Sequence, residues 1–82
     1  MDFGRQLAEV LRQLRHDARL TQTGMAKRLG VSQPTLNRLE HAGQNTTLKT
    51  LAQLCRVLEC SIGELFEGRV VLKHRRRQGR SR

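Results

Sequence analysis

The feature that most constrains this chain is the stretch 20–43, LTQTGMAKRLGVSQPTLNRLEHAG, which reads as two short helices joined by a glycine turn. Met25, Ala26, Leu29, Val31, Leu36 and Leu39 recur at helical spacing around one buried side, while Lys27, Arg28, Asn37 and Arg38 point elsewhere. Gly30 stands where the first of these helices must stop, because glycine takes the left-handed backbone that ends a helix within about one residue. Ser32 is a good N-cap for the second, since its hydroxyl can accept from an amide of the first turn. Two helices crossing at a fixed, sharp angle follow, with Ala26 supplying the small side chain that lets the backbones approach. The rest of the chain must hold or extend that pair.

Length limits what can do the holding. With 82 residues, 37% hydrophobic and 28% charged, there is material for one small domain and no second. No apolar run approaches the roughly 20 residues of a membrane span, and Asp2 and Arg5 interrupt a secretory-type start. A cytoplasmic protein with no membrane partner is the expectation. Cys55 and Cys60 are too few for a disulfide framework, and His16, His41 and His74 are scattered without zinc spacing, so both thiols read as small core hydrophobes and no cofactor or metal is expected. The formal charge of +9 suggests a nucleic-acid partner, yet seven of the sixteen Lys and Arg residues lie within 69–82, where there is no acid. Residues 1–68 therefore carry nine basic side chains against seven acids, a net +2, and total charge merely agrees with a case that the paired helices must carry.

Periodicity places a first helix over residues 3–18, with Phe3, Leu7, Val10, Leu11, Leu14 and Ala18 on one stripe and Arg5, Glu9, Arg12 and His16 outside. His16 and Asp17 adjoin in sequence, but consecutive helical residues do not face each other, so they make no catalytic pair. Thr21 is placed to cap the next helix, with Gln22 as its first residue beside free backbone amides where a phosphate could sit. Gly24 inside that helix costs up to about 1 kcal/mol relative to alanine. In the following helix Pro34 falls in the first turn, where its missing amide does not matter, and Gln33, Pro34, Thr35, Asn37 and Arg38 are left outward. Such side chains suit base edges: Gln or Asn can bond adenine bidentately, Arg can bond guanine, and Pro can touch a thymine methyl. A merely solvated polar face is the plainer reading of the same residues.

Gly43 is expected to end that helix. Thr47 should cap a fourth over residues 48–58, buried through Leu48, Leu51, Ala52, Leu54, Cys55 and Leu58. Asn45 and Thr46, ahead of it, could donate to phosphate or simply serve the turn, and the sequence leaves both open. Ser61 and Glu64 form a capping box for a fifth helix over residues 62–67, with Cys60 and Leu65 as its hydrophobic staple, and Gly68 ends it.

Taken together, Leu20, Thr21, Gln22, Ala26, Leu29, Gly30, Ser32, Gln33, Leu36, Glu40 and Gly43 resemble the helix-turn-helix of the phage repressor and Cro family, also called XRE, in a single register over about residues 5–67. The resemblance implies an all-α, five-helix, lambda-repressor-like DNA-binding domain over residues 1–68, with its motif at about 21–41. It further implies that Gln33, Pro34, Asn37 and Arg38 stand at base-reading positions, that Thr35 meets phosphate, and that Gln22 braces the recognition helix while contacting the DNA backbone. It pairs Arg15, near the end of the first helix, with Glu40, near the end of the recognition helix. Pro34 departs from the polar residue usual at its position, which argues against a hydrogen-bonded readout there.

Residues 69–82 differ in character. Val70, Val71 and Leu72 form a brief β-prone run, and the KHRRRQGRSR that follows, with Lys73, Arg75, Arg76 and Arg77 at its head, is basic and low in complexity. The apolar triplet would be an exposed patch on its own, so it either packs on the body or pairs with its twin in a dimer. The basic residues could track phosphates, enter the minor groove or stay solvated. The segment NTTLKTL with a short extension also resembles the HipB-type and HigA-type antitoxins, and in the HipB type a terminal strand pairs across the dimer.

The functional expectation is a homodimeric repressor reading a palindromic double-stranded operator through the major groove, with autoregulation and a toxin partner as the antitoxin extension of that reading. A protein-interaction adaptor is the alternative, but it would have no need of Gln22, Gln33 and Arg38 at DNA-facing positions. RNA binding by stacking is disfavoured, because Phe3 and Phe66 are the only aromatics and both are expected to be buried. An enzyme is disfavoured by the want of any paired carboxylate, metal cluster or nucleophile with its base.

Overall fold

The computed structural model describes residues 2–41 and 46–72. Five helices follow in order: α1 Phe3–Asp17, α2 Gln22–Leu29, α3 Gln33–Glu40, α4 Leu48–Leu58 and α5 Ile62–Phe66, with no strand among the described residues. The all-α, five-helix class is as expected. Every helix opens on a side-chain cap: Asp2, Thr21, Ser32, Thr47 and Ser61 each accept the backbone N–H three residues on. Each such cap contributes typically about 1 kcal/mol, which matters most for helices of eight residues or fewer that could not stand alone in water.

α2 ends on Gly30 at φ +72°, and the Val31 amide returns to the Ala26 carbonyl at 3.0 Å. α3 ends differently from the expectation. Its last residue is Glu40 and its C-cap is His41, while Gly43 lies outside the described residues. A physical reason is at hand in Arg12, whose Nη1 donates to the Glu40 carbonyl and so satisfies a terminal acceptor without a glycine cap. Arg12 is thereby half-buried, not on the solvent side where periodicity alone puts it.

Leu7, Leu11 and Leu14 of α1, Met25, Ala26 and Leu29 of α2, Leu36 and Leu39 of α3, Leu54 and Leu58 of α4, and Leu65 of α5 form one buried cluster. α1 packs on α3 and α5, while α2 packs on α3 and α4, so each helix of the motif rests on a different supporting helix. At roughly 1.5–3 kcal/mol per fully buried leucine, this cluster supplies the main favourable term in folding. The helix starts depart from the expected stripes. Phe3 is 61% exposed and Leu48 81%, because each opens its helix before the axis reaches the core, and Ala52 also faces outward. The expected burial of both phenylalanines is thus corrected: Phe66 is half-buried and carries Phe3 edge-on, with ring centroids 5.6 Å apart.

Cys55 and Cys60 are half-buried against the cluster. Burial, followed by the neighbouring Cys55, pushes the Cys60 thiol up to about 11, so it is neutral near pH 7. Past Gly68 the chain alternates. Val70 and Leu72 pack against the core and Val71 is 76% exposed, so the first and third residues of the apolar triplet have a home on the body.

Candidate nucleic-acid interface

With Leu36 and Leu39 fully buried, the 3.6-residue period leaves Gln33, Pro34, Asn37 and Arg38 exposed on the other side of α3, with Thr35 half-buried between. Ser32 Oγ lies 2.8 Å from Thr35 Oγ1 and also accepts the Thr35 amide, so the start of the helix is fixed by its own cap. Glu40 is the only acid of α3 and is buried, which leaves the outer face neutral to positive. A surface of that sign, built from amides and a guanidinium, can approach a phosphate-lined groove without repulsion.

Polar contacts hold this face in place from behind. Arg15 Nε donates to Glu40 Oε2 at 2.9 Å and Arg15 Nη2 to Oε1 at 3.2 Å, a two-pronged pair with side chains 19% and 4% exposed. Arg15 Nη1 also reaches the Leu20 carbonyl at 3.3 Å, so one guanidinium joins α1, the entry to α2 and the end of α3. Gln22 Nε2 sits 3.4 Å from both Asn37 Oδ1 and Glu40 Oε1, and Thr23 Oγ1 lies 3.2 Å from Gln33 Oε1. The first turn of α2 therefore touches two outward side chains of α3.

Two residues of this support carry no mark in the sequence. Arg12 is one, and Gln53 is the other: its Nε2 donates to the Leu29 carbonyl at 3.0 Å and the Gly30 carbonyl at 2.6 Å, tying α4 to the turn of the motif. Both are long polar residues beside an apolar stripe, and only the three-dimensional approach of a free carbonyl gives them work to do.

The remaining candidate positions are not gathered here. Thr46 is half-buried, immediately before the Thr47 cap, and lines a groove with Phe3, Leu7, Leu51 and Phe66, while Asn45 lies outside the described residues. Val70 lines a different groove along α1 with Val10, Leu14 and Gly68, which includes no residue of α3. Lys73, Arg75, Arg76 and Arg77 also lie outside the described residues.

A profile described as a helix-turn-helix domain matches residues 6–67, which takes in α2 to α5, all of α1 but its first three residues, and the whole polar support. The chain belongs to the helix-turn-helix domain family. Members of this family are DNA-binding regulators and not enzymes. Among curated proteins, this helix-turn-helix chain is similar to antitoxin HipB of Escherichia coli strain K12, at 35% identity over 57 residues, covering 70% of this chain and 65% of the relative. It is also similar to antitoxin HipB of Escherichia coli O6:H1 strain CFT073, at 33% identity over 57 residues, covering 70% of this chain and 61% of the relative. The chain thus spans just under two thirds of the length of the relatives it matches. Among its described residues no helix is long and apolar enough to cross a membrane.

Proposed function

We propose that this chain is a sequence-specific repressor that binds a palindromic operator as a homodimer, with α3 in the major groove. The observation that carries the reading is the two-sidedness of α3: Leu36 and Leu39 are locked in the core, Glu40 is tied to α1, and Gln33, Pro34, Asn37 and Arg38 are what remains to meet base edges. Arg38 has the fork that matches guanine, the amides of Gln33 and Asn37 can bond base edges, and Pro34 offers apolar contact to a thymine methyl. Gln22 and Thr35 flank that face at the helix starts as phosphate contacts, and Thr46, with Asn45 before it, serves the same role ahead of α4.

One recognition helix covers only a few base pairs, so specificity calls for two copies whose helices sit about 34 Å apart in successive major grooves. The extension supplies the contact between copies: Val70 and Leu72 seat it on the body, and Val71 faces outward. Lys73, Arg75, Arg76 and Arg77 add affinity that does not depend on sequence, through counterion release. Likeness to two proteins named as antitoxins supports a further role, that of an autoregulating antitoxin with a toxin partner.

Selection from random duplexes tests the reading. The recovered motif should be two-fold symmetric, with half-sites one helical turn apart. Arg38→Ala should lose roughly 1–3 kcal/mol on that motif and relax preference at one base pair per half-site. A motif unchanged in both Arg38→Ala and Gln33→Ala would remove α3 from the role of base reader.

A further inference from the structure

A free asparagine presents an acceptor and a donor, and for that reason can bond adenine bidentately. Asn37 is not free. The argument starts at Glu40, whose buried carboxylate can only accept. Arg15 takes both of its oxygens, and Gln22 Nε2 stands 3.4 Å from Oε1. An amide can turn only its nitrogen toward a carboxylate, since its oxygen there would set two acceptors against each other. The carboxylate therefore decides which way round the Gln22 amide lies.

The same Gln22 nitrogen has a second hydrogen, and at 3.4 Å it faces Asn37 Oδ1. With a donor fixed on that side, Asn37 must turn its oxygen inward to α2 and its Nδ2 away. We infer that the line Arg15, Glu40, Gln22 sets Asn37 as a donor-only reader, so that it selects guanine, whose N7 and O6 both accept, over adenine, whose N6 amino group would face a second donor. Gln22 is in this respect a positioning residue: both Nε2 hydrogens are spent on Glu40 and Asn37, so a phosphate at the start of α2 is left the Gln22 backbone N–H. The contacts at 3.4 Å are long, so the bias falls at the low end of what a base contact delivers, roughly fivefold between the two base pairs.

The inference rests on α3 reading bases, and the test separates the two. Selection is run on the full chain with wild type, Asn37→Ala and Gln22→Met, the last keeping length and losing the donor. Thermal melts of the three show that each is folded. Asn37→Ala should relax one position per half-site, and wild type should prefer a G·C pair there. Gln22→Met keeps the backbone N–H and should, as the specific sign of orientation, raise A·T at that one position by roughly fivefold.

No selected motif for wild type would overturn both the base-reading helix and this inference. A motif that Asn37→Ala leaves unchanged, an A·T pair already preferred by wild type at the relaxed position, or a G·C preference that survives Gln22→Met would each overturn the inference alone, with Arg38 and Gln33 still reading bases.

Discussion

The two ends of the helix-turn-helix are held by different chemistry. At the far end of α3, the ion pair of Arg15 with the buried Glu40, beside Arg12 donating to the Glu40 carbonyl, ties the recognition helix to α1. At the turn, a neutral amide does the tying, with Gln53 of α4 donating to two carbonyls beside Gly30. The ionic end is strong when complete and fragile when one member is lost, because a stranded buried charge keeps its desolvation penalty without its partner. The amide end loses less on truncation, since exposed carbonyls such as that of Gly30 can turn to water. The orientation of α3 should therefore depend on its C-terminal end for stability and on the turn for fine angle.

The largest effect expected is at the ionic end. Arg15→Met strands a carboxylate whose side chain is 4% exposed and should cost up to about 3–5 kcal/mol, whereas Glu40→Leu leaves a guanidinium that is 19% exposed and keeps the Leu20 carbonyl, and should cost less. The double variant should be more stable than the sum of the two losses implies. Thermal and urea melts of the three give the coupling, and strictly additive losses would abolish the distinction between the two ends.

Next in size is Gly30→Ala. A side chain at φ +72° costs about 1–2 kcal/mol, and a Cβ there would stand 2.9 Å from Gln53 Nε2, so the amide must also give way. Gln53→Met, with the backbone unstrained, should cost only about 0.5–1.5 kcal/mol. In a Gln53→Ala background, which removes the end of the side chain altogether, Gly30→Ala should lose its steric part and retain the strain. Equal losses from Gly30→Ala with and without Gln53 would show that the amide does not sit against the turn.

What could be read from the chain divides along the same line. Caps and turn glycines act within three or four residues, so Thr21, Gly30, Ser32, Thr47 and the Ser61–Glu64 box were legible as spacing alone, and the five-helix class followed. The outer face of α3 was legible because burying Leu36 and Leu39 leaves no choice about the residues between them. Arg12 and Gln53 were not legible, since their partners are backbone carbonyls 28 and 23–24 residues away, and every sequence offers carbonyls everywhere. Periodicity also overreached at helix starts. It assigned Phe3 and Leu48 to the core by phase, with no means of seeing that the first turn of α1 and of α4 stands clear of it.

The smallest expected effect comes from a third kind of joint, the exposed and charged box at the start of α5, and it fixes how little an ionic contact does when water reaches it. The Glu64 carboxyl is held below its usual value of 4.5, first by the Ser61 backbone N–H it accepts at 2.8 Å and then by the Ser61 hydroxyl and Arg69, against the opposing pull of burial. A carboxyl with a lowered folded-state value contributes stability that is present above its unfolded value and is lost as pH falls through the folded one. Glu64→Gln keeps an acceptor for the box and removes the titration. Its deficit against wild type should therefore be small near pH 7, unchanged down to about pH 5, and should close below about pH 4.5 as the wild-type carboxyl protonates. Melting temperatures of the two proteins taken across that range give the difference directly. A deficit as large as that of Arg15→Met would mean that exposure does not set the strength of these joints, and a deficit that persists undiminished into acid would mean that the charge on Glu64 is not what the box uses.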